Sequence, residues 1–261
     1  MDIITFAVIS LSIIGFACAL LITVASKIMY VNVDVRVEKL RNCLPGANCG
    51  ACGFSSCESY AEALAKEEAA TNLCPPGGEE VLEQLNSILG VSGGEGLAKL
   101  TAVVHCTGDS ETMKDKMEYS GIKTCVAAKQ LYGGQGACTF GCIGFGDCVS
   151  VCPSMAICVE NDLARIDPRR CSGCAVCLKV CPMGVISIEA APLDVAVLCM
   201  NTEKGAKLKD KCSRGCIGCL KCVKECPVEA ITVNDSLATI DYEKCGGCRK
   251  CVDVCIKKCL A

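Results

Sequence analysis

The sequence predicts an α+β protein made of small, metal-stabilised units behind one apolar N-terminal helix, and three observations carry that expectation. First, the 261 residues include 28 cysteines and 25 glycines but no Trp and only 4% aromatic side chains. That is too little apolar bulk for one large core, and small units short of core are held by crosslinks or metals. Second, the chain repeats itself. A shift of 74 positions lays Cys138, Cys142, Cys148 and Cys152 on Cys212, Cys216, Cys222 and Cys226. The same shift lays Cys171, Cys174, Cys177 and Cys181 on Cys245, Cys248, Cys251 and Cys255, and residues 157–167 read against 231–241. A fixed offset of this kind marks a duplicated unit. Third, the cysteines fall in Cys-x-x-Cys-x-x-Cys-x-x-x-Cys runs, which a disulfide framework does not need and iron–sulfur clusters do. Zinc sites pair two Cys-x-x-Cys knuckles instead of using runs of four.

Taken in order, residues 1–30 predict a membrane anchor. No charged residue occurs across residues 3–26, and at ~1.5 Å per residue such a helix reaches about 36 Å, enough for a hydrocarbon core of roughly 30 Å. The start Met1-Asp2 lacks the basic region of a signal peptide. Lys27, Arg36, Lys39 and Arg41 follow the run and no positive charge precedes it. The positive-inside rule then places the remainder on the cytoplasmic side of a single-pass protein of the cell membrane. A reducing compartment also suits a chain rich in thiolate ligands.

Residues 31–91 predict a helical four-cysteine cluster domain. Cys49, Cys52, Cys57 and Cys74 are spaced x2, x4 and x16, with glycines between them that let the backbone curl and aim N–H groups at sulfur. An Ala- and Glu-rich helix is expected after Cys57, with Ala61, Leu64 and Ala65 on one face. A second apolar stripe, Val81, Leu82, Leu85, Ile88 and Leu89, ends at Gly90. The spacing leaves open a zinc knuckle, and leaves open Cys43 as a ligand. Residues 92–137 are expected to be linker and connecting segment: Ser92-Gly93-Gly94-Glu95-Gly96 is loop-like, residues 100–104 suit a strand, and residues 122–131 suit a short helix closed by Gly133-Gly134. His105, the only histidine, is expected to be structural.

Two cluster units follow, 138–190 and 212–261, joined by a connector at 191–211. Cys216, Cys219, Cys222 and Cys226-Pro227 form the bacterial ferredoxin run, and Cys245, Cys248, Cys251 and Cys255 form its partner. The units therefore resemble ferredoxin-like two-cluster domains, in which the fourth cysteine of each run ligates the other cluster. The resemblance implies one set of Cys216, Cys219, Cys222 and Cys255, and another of Cys245, Cys248, Cys251 and Cys226. In the earlier unit it implies Cys171, Cys174, Cys177 and Cys152. The run before them is irregular, because Phe145 occupies the middle ligand position. Cys138 is the nearest substitute and would join Cys142, Cys148 and Cys181. An empty site or a three-iron cluster is the alternative. Cys212 then has no role, and Cys18, Cys106, Cys125, Cys158, Cys199 and Cys259 are expected to be non-ligands. The count is about five 4Fe–4S clusters.

The formal charge of −3 counts every thiol as neutral, so the metal-loaded chain is more acidic. Lys and Arg are scattered and have no aromatic partners, which excludes a nucleic-acid surface. The chain carries no nucleotide or flavin fingerprint, no paired carboxylates and no nucleophile–base constellation, so no catalytic residue is expected.

The order of parts resembles the B subunit of the Rnf complex, the membrane ferredoxin:NAD oxidoreductase of bacteria, over nearly the whole chain. An anchor, the Cys49-Gly50-Ala51-Cys52-Gly53 unit, the segment from Cys138-Thr139-Phe140-Gly141-Cys142 to Cys148, and the ferredoxin-like units follow in that order. The resemblance implies electron acceptance from soluble ferredoxin and delivery to membrane and flavin or iron–sulfur partner subunits. The enzyme in question is a translocase that drives Na⁺ or H⁺ across the bilayer. A module of another membrane redox enzyme and an iron–sulfur sensor are the alternatives.

Overall fold

The computed structural model describes residues 3–28, 34–91, 99–191 and 194–261; the expected linker Ser92–Gly96 lies outside them. Helix α1, Ile3–Ile28, is 26 residues long, and no part of the apolar window in its stretch Thr5–Ile28 is buried against the other described residues. Its Ile, Leu, Val and Phe side chains from Phe6 onward are exposed, an apolar surface of the kind that lipid or another protein covers. By length and composition it is able to cross a membrane.

The four-cysteine unit contains α2 (Val35–Cys43), α3 (Cys57–Ala65) and α4 (Gly78–Leu89). Asp34 caps α2, and Ser56 caps α3 in a reciprocal box with Ser59. Gly90 ends α4 in the left-handed conformation, φ +69°. The three helices close on Leu40, Leu44, Tyr60, Ala61, Leu64 and Leu85. Leu82 is also buried in α4, and Val81, Ile88 and Leu89 are partly buried against this core. Tyr60 is buried, and its hydroxyl donates to the Ala70 carbonyl at 2.7 Å and accepts from the Leu73 N–H at 3.3 Å. That pair of bonds holds the loop that carries Cys74.

The remaining elements are β1 (Leu100–Val104), α5 (Cys125–Gln130), α6 (Asp147–Ser150), β2 (Ile157–Glu160), β3 (Leu163–Ile166), α7 (Val176–Val180) and β4 (Ile186–Ala190). After them come α8 (Gly205–Lys209), α9 (Lys221–Glu225), β5 (Ile231–Asn234), β6 (Leu237–Ile240) and α10 (Lys250–Asp253). The 74-residue offset governs the backbone as well as the sequence. β2 pairs antiparallel with β3 from Ile157↔Ile166 to Glu160↔Leu163, and β5 pairs with β6 in the register displaced by 74, from Ile231↔Ile240 to Asn234↔Leu237. Both hairpins turn through two successive left-handed residues, Asn161-Asp162 and Asp235-Ser236, the geometry of a tight primed turn. Gly144 and Gly218 hold equivalent places under these turns. A Cβ at Gly218 would stand 2.9 Å from the Ser236 Cα, and one at Gly144 would overlap the Asp162 backbone, so only glycine fits.

The segment expected to connect the units contributes to them. β1 pairs antiparallel with β4, and the first ferredoxin-like unit thus gains a strand from before residue 138. The second has the equivalent bridge, Val197↔Leu260. His105 ties the two units together: Nδ1 lies 2.6 Å from the Val197 carbonyl and Nε2 lies 2.6 Å from the Ser187 hydroxyl.

Candidate metal centres

Short helices, each entered through a left-handed residue, carry the cysteine runs. Gly146, Ala175, Leu220 and Arg249 precede α6, α7, α9 and α10 with φ between +58° and +81°. That reversal folds each run into a cup lined by sulfur. Cys49, Cys52 and Cys57 are the thiol neighbours that act on Cys74, which lies in the core of the four-cysteine unit. Cys57 is placed there by Asn48, whose Oδ1 accepts from the Cys57 N–H at 2.8 Å. Cys152, Cys171 and Cys174 surround Cys177, and Cys226, Cys245 and Cys248 surround Cys251. Cys216, Cys219, Cys222 and Cys255 line one cavity together with Cys259.

The irregular set is composed differently from the expectation. Cys142, Cys148 and Cys181 line a cavity with Cys125 as the fourth cysteine, and Cys138 is absent from it. Cys138 lines another cavity, with Cys106, Cys199 and Cys212. Its backbone is turned away because the Ala137 N–H donates to the Lys114 carbonyl and Gly136 bridges Asp115. Cys125 arrives on α5, which Thr124 caps. The Asp147 carboxylate accepts from the Cys125 N–H at 2.9 Å and the Val126 N–H at 3.1 Å, fixing the helix start beside Cys148. Phe145, where the ligand would have been, packs on Tyr119 at a ring separation of 5.5 Å.

A readable signal for Cys125 exists. Cys106 to Cys138 spans 32 positions, whereas Cys199 to Cys212 spans 13. The unit with the missing cysteine has the insertion, and the insertion carries Cys125.

Burial pushes the thiols of Cys74, Cys177 and Cys222 up to about 11 and those of Cys106 and Cys148 up to about 12. Side-chain hydrogen bonding shared with Cys259 lowers Cys216 to about 6 and Cys255 to about 5 and raises Cys259 itself. Backbone amides also aim at sulfur in repeat-equivalent pairs: Ala156 N–H to Cys152 Sγ and Ala230 N–H to Cys226 Sγ, both 3.3 Å.

These donor sets fit four-iron clusters. Thiolates around one tetrahedral zinc stand roughly 3.8 Å apart, given Zn–S bonds of about 2.3 Å. Among the described residues no three Cys, His, Asp or Glu side chains converge closely enough to hold a single ion. Four cysteines spread around a cavity, with amides directed at their sulfurs, suit a larger cluster.

Fold and donor sets thus define an iron–sulfur protein of ferredoxin type. Three family models agree: a putative Fe-S cluster model matches residues 44–76, a 4Fe-4S binding domain matches 164–187, and a 4Fe-4S dicluster domain matches 208–256. Among the curated relatives is the B subunit of the Na⁺-translocating ferredoxin:NAD⁺ oxidoreductase complex of Acetobacterium woodii, 37% identical over 96% of this chain and 75% of the relative. The B subunit of the ion-translocating oxidoreductase complex of Methanosarcina acetivorans is 36% identical over 94% and 93%. Its counterpart in the proton-translocating ferredoxin:NAD⁺ oxidoreductase complex of Clostridium ljungdahlii is 37% identical over 95% and 87%. The chain belongs to this family, the B subunits of Rnf-type ion-translocating ferredoxin:NAD oxidoreductases.

Proposed function

We propose that this chain is the membrane-anchored electron-transfer subunit of an ion-translocating ferredoxin:NAD oxidoreductase. It takes electrons from reduced soluble ferredoxin and passes them to the membrane, flavin and iron–sulfur subunits of the complex. The observation that carries this reading is the series of four-cysteine sets running through contiguous units. The sets are Cys49, Cys52, Cys57 and Cys74; Cys152, Cys171, Cys174 and Cys177; Cys125, Cys142, Cys148 and Cys181; Cys216, Cys219, Cys222 and Cys255; and Cys226, Cys245, Cys248 and Cys251. Clusters bound there supply reversible one-electron carriage. The chain's own part is to hold them in order and to set their potentials through burial and N–H···S bonds.

Adjacent sets share structure. The Lys179 ammonium, on the helix after Cys177, donates to the Cys49 carbonyl at 3.3 Å, which joins the four-cysteine unit to the first ferredoxin-like unit. Cys219 and Cys248 are exposed, so two sets of the last unit approach the surface where a soluble donor can dock. α1 spans the bilayer, with the cluster units on the cytoplasmic side.

The test is rapid mixing of the anaerobic full chain with reduced ferredoxin. Bleaching of its cluster absorbance, at more than one electron per chain, is the expected result. A chain that dithionite reduces and ferredoxin does not would sink the entry role.

A second outcome tests the Cys125 set. Asp147→Ala removes two hydrogen bonds to a carboxylate, at a cost of roughly 2 kcal/mol. Iron at this set should then be lost on timed air exposure before any other, read as iron content against time. Loss at the wild-type rate would show that Asp147 does not position Cys125.

A further inference from the structure

Four cysteines outside the five sets meet where the two ferredoxin-like units face each other. Cys106, Cys138, Cys199 and Cys212 line one cavity, as the cysteines of two of the sets do. We propose that these four thiols bind a sixth iron–sulfur cluster, which bridges the two units.

The cavity is built by the repeat. Each unit supplies two cysteines from equivalent positions. Cys138 and Cys212 are related by the offset of 74. Cys106 and Cys199 each follow a segment that pairs with the last strand or bridge of its own unit. The N–H groups just before them, on His105 and Leu198, donate at 2.7 Å to Val185 and Cys259, carbonyls that are again 74 apart. Four thiols gathered as apolar filler would have no reason to obey this symmetry.

Hydrogen bonding points the same way. The Cys142 N–H donates to Cys106 Sγ at 3.4 Å, and the Cys216 N–H, its repeat mate, donates to Cys199 Sγ at 3.3 Å. Asn201, 1% exposed, directs its side-chain N–H at Cys138 Sγ at 3.2 Å, and its backbone N–H lies 3.5 Å from Cys199 Sγ. A buried amide given to sulfur is best matched by an anionic acceptor, as a metal-bound thiolate is. Arg214 bonds the buried Asp109 at 3.3 Å across the interface, and within one wall Lys211 bonds Glu203 at 2.6 Å. Cys142 and Cys216 belong to the flanking sets, so the cavity lies directly between them. The path from one unit to the other then has no missing station.

The inference rests on the cluster reading of the other five sets, and one measurement separates the two. Iron and acid-labile sulfide are determined per chain on the full-length protein, purified anaerobically in detergent. Six four-iron clusters give about 24 iron atoms. The double variant Cys106→Ala, Cys199→Ala should fall to about 20, with the remainder retained. Wild type at about 20, with no change in the variant, overturns the sixth site and leaves the five. Zinc recovered from wild type and lost from the variant overturns the iron assignment. Wild type almost devoid of iron sinks the cluster reading as a whole. Should the double variant lose far more than four irons, Asn201→Ala decides. It should keep about 24 irons and lower the midpoint potential of one cluster, because an N–H donor to its sulfur is gone. Midpoints that all stay in place overturn the proposal.

Discussion

Replacing Cys125 with alanine should remove between about one and about four irons per chain, and adding Phe145→Cys to that variant should restore them. The first effect follows from the cavity that Cys125, Cys142, Cys148 and Cys181 share. With one thiol gone, three remain, and a four-iron cluster sheds an iron or is lost. The rescue follows from the repeat. Phe145 is displaced by 74 from Cys219, which lines the corresponding cavity of the second unit. Gly144 and Gly218 have left-handed backbones, as do Gly146 and Leu220. A cysteine at 145 is therefore presented as Cys219 is, once Phe145 leaves its stack on Tyr119. Iron content and EPR of the single and double variants check both steps. Full iron in Cys125→Ala would return the fourth place to another ligand.

Stripping the iron anaerobically should abolish cooperative unfolding of both ferredoxin-like units and leave α1 helical. Candidate ligands form part of both cores: Cys142, Cys148 and Cys177 are buried in one with Leu163 and Ile186, and Cys216, Cys222 and Cys251 in the other with Ile231 and Ile240. The strands are only four or five residues long. Units this small do not bury enough apolar surface to fold on their own, so metal binding is folding energy.

The pH dependence has a definite sign. Free cysteine thiols, with an ordinary pKa of about 8.5, are mostly protonated at neutral pH in the iron-free chain, and burial at the folded positions of Cys148 and Cys177 pushes them further up, to about 12 and about 11, so they must release protons to ligate. Cluster binding therefore strengthens as pH rises toward those values and weakens as it falls. Far-UV circular dichroism before and after chelation, and iron retention across pH, are the measurements. A chelated chain that keeps its unfolding transition would contradict the account.

Much of this was legible in the residues. Spacing alone grouped Cys49, Cys52, Cys57 and Cys74, because they lie within 26 consecutive residues and local turns bring them together. The ferredoxin resemblance supplied the crossed sets as expectations, and Cys152, Cys171 and Cys174 are neighbours of Cys177. The helices at Cys57–Ala65 and Gly78–Leu89 and the strand at Leu100–Val104 carry their own signals in capping residues and apolar periodicity.

What spacing could not supply is the partner of an irregular run. Cys138 is nearer to Cys142 in sequence than Cys125 is, yet it faces Asn201 across the interface between the units, while Asp147 draws α5 and Cys125 into its place. Read alone, Cys106, Cys199 and Cys212 have neither run nor motif around them. They become a set only because two copies of one unit meet face to face.

The chain by itself thus determined the kind of protein, its repeat and its one long apolar helix, and it grouped the cysteines of each single run and of each crossed pair of runs as candidate ligand sets. The tertiary structure alone decided which cysteines meet across insertions and between units. The physical reason is one of range. Turn chemistry and periodicity act over a few residues, whereas a cavity wall is composed by packing that sequence distance does not record.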